Sequence, residues 1–416
     1  MATPGLAAIP GFSKFWWASS VSEFGTYLTS VAMAVLIKYN LHGSTTDLGW
    51  VNSARWLPYA LFGLLVGVII DRARRRPIQI AADLVRSVLL IVVAVLAMTN
   101  RLPILVLVVF MAVFGLSALV GDAASQAFLP RIVPAPMLTR AHARIDQSSA
   151  VAQTAGPGIA GVVIAVIGAP WAFVADAVSY LFSGLMLIRI RVREPAPDGS
   201  RRRAVRVEVS EGLRWVYRHA TLGPLAVITH LWFVFAGIAG VVLPFFLLDT
   251  VKFSSNALNT LALGAAGSIA GIGALIGSSA APRLGVRFGT GHVVVGCHAM
   301  LPVAYALLAV SPANSIGRVL IGVAEIIIGL SLGASNSNEM GYRQTVTPDH
   351  LQGRMNATMR SINRAMLVIA APVGGVLADA IGYRLTLWIV AAGFAGVAVA
   401  LGLSAFGSAT LKDYSL

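Results

Sequence analysis

Apolar runs separated by short polar stretches recur twelve times along the chain, at roughly 12–38, 47–70, 78–99, 103–126, 144–168, 170–188, 223–249, 258–281, 292–310, 315–339, 355–379 and 384–406. Each is close to or above the ~20 residues that carry a helix across a bilayer. None alternates apolar and polar positions as the wall of a membrane barrel requires. The pattern therefore predicts an all-α membrane protein with twelve transmembrane helices. The first run lacks the basic start, short apolar stretch and small-residue cleavage site of a signal peptide, so it is expected to remain as a spanning helix.

The longest interruption, 189–222, divides the runs six and six. It carries the charge run RIRVREPAPDGSRRRAVRVEV and, near its end, EGLRWVYRH, which reads as a helix lying on a surface. The halves also repeat. A shift of 214 residues places Gly63 on Gly277, Pro134 on Pro348, Arg140 on Arg354, Gly161 on Gly375 and Gly168 on Gly382. Six helices per half implies parallel repeats, the arrangement in which two pseudo-symmetric bundles enclose a site near the midplane and rock about it. The expected organisation is an N-terminal bundle over 1–188, a basic cytoplasmic linker over 189–222 and a C-terminal bundle over 223–416.

Composition narrows the class further. The 416 residues are 57% hydrophobic and 12% charged, with a mean hydropathy of +0.80, far more apolar than a soluble domain. One cysteine, Cys297, excludes a disulfide scaffold. The formal charge of +14 comes from 31 Lys and Arg against 17 Asp and Glu. If the N-terminus is cytoplasmic, nearly all the basic residues fall on the cytoplasmic side. Only Lys38, Arg101, Lys252, Arg318 and Arg384 sit at outer ends, and Arg55 and Arg86 fall inside segments. Retention of basic loops then makes both termini cytoplasmic. The same charge favours contact with anionic membrane lipids rather than nucleic acid.

Several stretches resemble a known family, the major facilitator superfamily. The junction Gly67-Val-Ile-Ile-Asp71-Arg72-Ala-Arg74-Arg75-Arg76 is similar to its signature loop, with Arg74 where the broad pattern has glycine. Gly156-Pro157-Gly158-Ile-Ala-Gly161 resembles the motif of its exporters and antiporters. GDAASQAFLPRIVP, DQSSAVAQTAGPGIAG and RQTVTPDHLQGRMNATMR resemble the subgroup that includes drug, macrolide and enterobactin (siderophore) exporters. The resemblance spans nearly the whole chain and implies the twelve-helix fold, proton antiport and conformational roles for the loop. One departure matters: the fourth segment has no arginine in its membrane portion, so the coupling arginine of many drug antiporters has no counterpart here.

In the loop, Asp71 beside Arg72, Arg75 and Arg76 reads as a gate that pairs with neighbouring helices when the cytoplasmic side closes, with Gly67 allowing close approach. An anion adds nothing to positive-inside retention, which argues for such a role. Gly156 and Pro157 offer a helix bend, and Gly161 a close helix contact. The pairs Gly267–Gly271 and Gly273–Gly277 read as ordinary packing glycines.

No phosphate-cradling G-x-x-x-x-G-K-[ST] loop exists, and the four lysines (Lys14, Lys38, Lys252 and Lys412) lie in no such context. The seven histidines lack paired ligand spacing, so neither metal nor cofactor is expected. An ion gradient remains as the source of work, protons by resemblance. Intramembrane ionisable groups are the default candidates. Ser19, Glu23, Thr26 and Ser30 form one polar stripe on the first segment, and Asn52, Arg55 and Tyr59 one on the second. Glu23 is read either as a coupling or substrate-contacting acid or as the structural ion-pair partner of Arg55. Asp83 and Arg86 form a local pair, which Asp122 could extend through Arg86 or Arg144. Glu325 is the C-terminal counterpart of Glu23; His230 and His298 are read as packed donors more than functional groups. Trp56 and Trp232 are candidate cavity aromatics, whereas Trp16 and Trp17 read as interfacial anchors.

The sequence thus reads as a monomeric, multi-pass secondary transporter of the bacterial cytoplasmic (inner) membrane, exporting small amphiphilic compounds by proton antiport through alternating access. A proton-coupled importer, or a non-transporting receptor or membrane enzyme on the same fold, is the alternative. Reporter domains fused to either terminus or within 189–222 should all report cytoplasm. A periplasmic signal from any of the three would overturn this topology.

Overall fold

A computed structural model describes residues 6, 9, 11–71, 73–192, 194, 205–250 and 253–410; the side chains of 67, 68, 71, 205, 206 and 208 are outside the description. The helices are α1 (Phe12–Val35), α2 (Thr45–Asp71), α3 (Arg75–Met98), α4 (Ile104–Ile132), α5 (Leu138–Ile167), α6 (Ala169–Ile188), α7 (Val205–Arg218), α8 (Leu222–Thr250), α9 (Asn256–Phe288), α10 (Thr290–Val310), α11 (Ser315–Val346), α12 (Asp349–Ile381) and α13 (Tyr383–Leu403). A π-helical turn, Leu36–Asn40, prolongs α1. No strand occurs among the described residues. This follows from an apolar solvent, in which every backbone donor and acceptor must be satisfied within its own segment.

Eleven helices are long and apolar enough to cross a bilayer, counted over the described residues: α1 with its π turn, α3 to α6 and α8 to α13. The predicted second segment, 47–70, is the 27-residue α2. The short α7 contains the expected surface stretch EGLRWVYRH up to Arg218 and starts earlier, at Val205.

Helix ends depart from the apolar runs in one direction. α3 begins at Arg75, α4 runs on to Ile132, α5 begins at Leu138, α9 and α11 run on to Phe288 and Val346, and α12 begins at Asp349. All these extensions lie at the end of the molecule that carries α7. They hold Arg131, Arg140, Arg283, Arg287, Arg343 and Arg354, whose long side chains suit the polar edge of a bilayer. The apolar pattern stops where hydrocarbon would stop, whereas the hydrogen-bonded helix does not. We call this the arginine end.

Single glycines join successive helices tightly. Gly168, Gly289 and Gly382 each close one helix and open the next at φ 85°, 85° and 86°, a conformation that costs glycine little. Ser255 and Asn314 cap α9 and α11, their side-chain oxygens accepting from the backbone N–H of Leu258 and Gly317.

Helices α1 to α6 pack chiefly on one another, as do α8 to α13; across the middle the main contacts are α2 with α12 and α5 with α9. The repeat of 214 residues is visible in these crossings. Gly161 on α5 meets Thr260 and Gly264 of α9, and its equivalent Gly375 on α12 meets Thr45 and Thr46 of α2. The glycines of α9 serve two opposite neighbours: Gly264, Gly267 and Gly271 face Pro157 and Thr154 of α5, while Gly273 and Gly277 face Ile326 and Leu330 of α11. Without water to drive apolar association between lipid-facing helices, such small-residue seams supply the contact. α7 lies across the arginine end, where Arg354 pairs with Glu211 and Gly212 sits against Thr358 and the Arg354 backbone.

A β-carbon on Gly264 would stand 2.5 Å from the Pro157 carbonyl and 2.8 Å from Gly161 Cα. Gly264→Ala should therefore lower thermal stability by about 1–3 kcal/mol. Gly396→Ala, which meets nothing within 4 Å, should leave stability unchanged or raise it by up to ~1 kcal/mol. Equal melting temperatures for the two variants in detergent would refute the close α5–α9 seam.

Candidate functional site

Three connected cavities form a column between the two sets of helices. The deepest, of about 340 Å³, is walled by α1, α2, α4, α5, α8, α9 and α11, with Tyr27, Thr29, Ser30, Asn52, Arg55 and Glu325 as its polar lining. Tyr27 and Arg55 also line the next, a vestibule of about 470 Å³ that adds Glu23, Trp56, Arg86, Asp122, Arg360 and Arg364. Tyr59, Asp122 and Arg360 are shared in turn with a mouth of about 520 Å³, which reaches the arginine end between α2, α4 and α12.

The opposite end is closed by polar contacts between the two sets of helices. Lys38, on the π-helical turn after α1, donates to Asp249 of α8 at 2.7 Å, a carboxylate that Tyr383 of α13 steadies from within its own set at 2.8 Å. Asp379, in the last turn of α12, caps the start of α2. It accepts from the backbone N–H of Thr45 at 3.2 Å and of Thr46 at 2.9 Å, and from the Thr46 hydroxyl at 2.6 Å. A carboxylate satisfying the open N–H groups at a helix N-terminus is a favourable use of the helix dipole. Deeper in, Ser53 donates to the Val368 carbonyl at 2.7 Å and fastens α2 to α12.

The predicted polar stripes both face the column. Ser30 and Asn52 line the deep chamber; Glu23, Thr26, Arg55 and Tyr59 line the vestibule. Of the two readings of Glu23, the ion pair with Arg55 is not formed. Glu23 accepts from the Ser149 hydroxyl at 3.0 Å, and the Arg55 guanidinium lies over the rings of Trp56 at 5.3 Å and Phe114 at 5.8 Å. Matching depth on two helices does not fix where the side chains turn. The Asp83–Arg86 pair forms at 3.6 Å and is extended by Asp122 at 3.7 Å. Tyr59 donates to Asp122 at 2.6 Å, Ser183 to Asp83 at 2.7 Å, and Arg86 to the Ser117 and Ala118 carbonyls.

Glu325 is 4% exposed and faces the deep chamber with no hydrogen bond or ion pair among the described residues. Trp56 stands in the vestibule, with Arg364 at 4.0 Å over its ring. Trp232 does not reach the column; it packs on Phe233 and Phe394. His230 is held between Asn363 and Tyr217, and His298 against the Val294 carbonyl, as packed donors are. Of the signature loop, Gly67 and Asp71 are placed only as α2 backbone, and Arg72 lies outside the described residues. Arg75 and Arg76 donate their backbone N–H to Glu194 at 2.7 and 2.9 Å, and the Arg76 side chain bonds the Leu187 and Ile188 carbonyls. These contacts tie α3 to the end of α6. α5 runs unbroken through Pro157; Gly156 takes the Tyr27 ring against its backbone and Gly161 takes α9.

Sequence reasoning gave no decisive role to several polar groups. Asp176 is fully buried and bonded to Thr29 and Ser179, and Gly25 gives it room. Glu339 is buried beside Arg343 at 3.4 Å. Arg360 and Arg364 read from sequence only as topology markers. Their spacing of four on a helix places both on one face, and that was the available signal.

The family model of the Major Facilitator Superfamily matches residues 15–370. The chain belongs to this superfamily. It is accordingly a multi-pass membrane transporter. The multidrug efflux pump Tap of Mycolicibacterium fortuitum is 26% identical over 378 residues, covering 89% of this chain and 90% of that protein. Macrolide efflux protein A of Streptococcus pyogenes is 24% identical over 155 residues, 37% of this chain and 38% of that protein. Among solved structures, a variant of the nucleoside transporter NupG superposes with a TM-score of 0.81 at 12% identity, covering 94% of this chain and 98% of that one; it shares the fold.

Removing the cation from the Asp83–Arg86–Asp122 network should be costly, because the Asp83 and Arg86 side chains are only 6% and 8% exposed. Arg86→Met should lose about 3–5 kcal/mol of stability, and adding Asp83→Asn should recover part of it. Thermal unfolding in detergent checks this. A stable single Arg86→Met variant would show that the network contributes little.

Proposed function

We propose that this superfamily member is a proton-driven exporter of small amphiphilic compounds: drugs, macrolide-like natural products or siderophores. In this reading two six-helix bundles, 1–188 and 223–416, rock about the column, joined by the linker 189–222, in the bacterial cytoplasmic membrane with both termini inside. The observation that carries the reading is the column itself. It reaches the arginine end and stops beneath the contacts made by Lys38, Asp249, Asp379 and Tyr383, so one end is accessible while the other is shut. Export is supported by the efflux relatives and by the exporter-like stretch at Gly156 to Gly161.

Work would come from a proton exchanged in the column. Glu325 is the proposed coupling acid, because a carboxylate buried without a partner is costly and rocking would change what it faces. Glu23 is the second candidate, already hydrogen-bonded to Ser149. The central experiment loads proteoliposomes with a labelled siderophore and imposes a pH gradient. Wild type should move it uphill, and a protonophore should abolish the movement. Glu325→Gln should keep downhill exchange and lose at least tenfold of the uphill rate. Uphill transport unchanged in Glu325→Gln but lost in Glu23→Gln would transfer coupling to Glu23. Movement in the same direction as the protons would replace export with import.

A further inference from the structure

The charges lining the vestibule do not balance. Its acids are Glu23 and Asp122, and its bases are Arg55, Arg86, Arg360 and Arg364. Both acids already have partners: Glu23 accepts from Ser149, and Asp122 is held by Tyr59 and Arg86. Arg86 is occupied by Asp83, Asp122 and two carbonyls. Arg55, Arg360 and Arg364 make no hydrogen bond or ion pair among the described residues. Two of them share one aromatic support. Trp56 holds the Arg55 guanidinium at 5.3 Å and the Arg364 guanidinium at 4.0 Å from its ring, and Arg360 lies one turn before Arg364 on the same helix.

Cation–π contact steadies a guanidinium but leaves its edge N–H donors open. Arginines from α2 and α12 thus meet in the vestibule with like charge and no ion-pair partner, which leaves their open donors to water or to an anionic ligand that enters. Directly beyond Arg55 lies the deep chamber, whose walls include Val31, Met33, Leu48, Val51, Met111 and Leu243. A basic vestibule opening into an apolar chamber fits a ligand with a charged head and an apolar body.

We infer that the transported compound is an organic anion, a carboxylate or comparable oxyanion on an apolar body. Its head binds Arg55, Arg360 and Arg364 around Trp56, and its body occupies the deep chamber. This deepens the transport reading and rests on it. The placement also suggests how binding biases motion. An oxyanion bridging Arg55 of α2 and Arg364 of α12 cancels their repulsion and strengthens the α2–α12 contact beside the vestibule. A cationic ligand at this position would add to the repulsion instead.

The test uses three fluorescent probes with one apolar body: pyrenebutyrate, its methyl ester and pyrenebutylammonium. Binding to the full-length protein is measured in nanodiscs of phosphatidylcholine, with and without phosphatidylglycerol. Wild type should bind pyrenebutyrate about tenfold or more tightly than the other two. Arg55→Gln and Arg364→Gln should each weaken pyrenebutyrate by about tenfold while changing the ester little. Arg318→Gln, whose side chain lies over Phe253 outside the column, should change neither. Should a single variant fail to fold, wild-type preference among the three probes still decides. Equal or tighter binding of the ester or the ammonium compound overturns the proposal. So does competition by phosphatidylglycerol that abolishes pyrenebutyrate binding, since the arginines would then be a lipid headgroup site. Because binding is read without translocation, anion preference with no movement in proteoliposomes would sink the exporter reading and leave the binding site standing.

Discussion

Transfer of charge out of water is the constraint on which the rest of this molecule depends. In a bilayer an ionisable side chain must lie at a helix end, find a partner, or face a water-filled space. The chain uses all three solutions. Its arginines crowd one end, where helices outrun their apolar segments. Asp83 and Asp122 both pair with Arg86 within one wall. Asp176 is held by Thr29 and Ser179 and Glu339 by Arg343, whereas Glu23, Arg55, Glu325 and Arg364 face the central column.

The seams and the closed end show how the structure holds one arrangement and what would release it. Glycine-lined contacts between α5 and α9 and between α2 and α12 bring backbones close over the middle of the molecule, in places that the internal repeat makes equivalent. Packing of that kind tolerates small rotations about the seam better than it tolerates insertion of a side chain. The contacts at Asp249 and Asp379 are different. They are few, polar and at the rim, where water can replace each hydrogen bond as it breaks.

The all-helical class was legible because apolar run length responds directly to bilayer thickness, and eleven of the twelve runs became helices long and apolar enough to span among the described residues. Helix ends were not, since hydrogen bonding continues through Arg131 or Arg287 after hydrophobicity has stopped. The glycine equivalence of 168 with 382 was readable from spacing, and both residues adopt the same positive φ. In the site, periodicity placed the stripes of Glu23 and Arg55 toward the column but could not say whether the two side chains met. Glu325 stood out as an acid in an apolar run. Trp232 did so as an aromatic and proved to be packing. Arg360 and Arg364 were hidden by their own plausibility as topology markers, because depth along a tilted helix is poorly defined by counting from its polar end.

The central claim is that one end closes as the other opens. It is tested most directly by paired distance measurements between spin labels in nanodiscs, on a background in which the buried Cys297 is replaced by serine. One pair, at His42 and Ala380, spans the closed end; the other, at Ala135 and Gln344, spans the arginine end, and all four positions are exposed. The account predicts reciprocal populations under a pH gradient with substrate: as the His42–Ala380 distance lengthens, the Ala135–Gln344 distance shortens. Both distances changing together, or a His42–Ala380 distance that stays fixed throughout turnover, would contradict it.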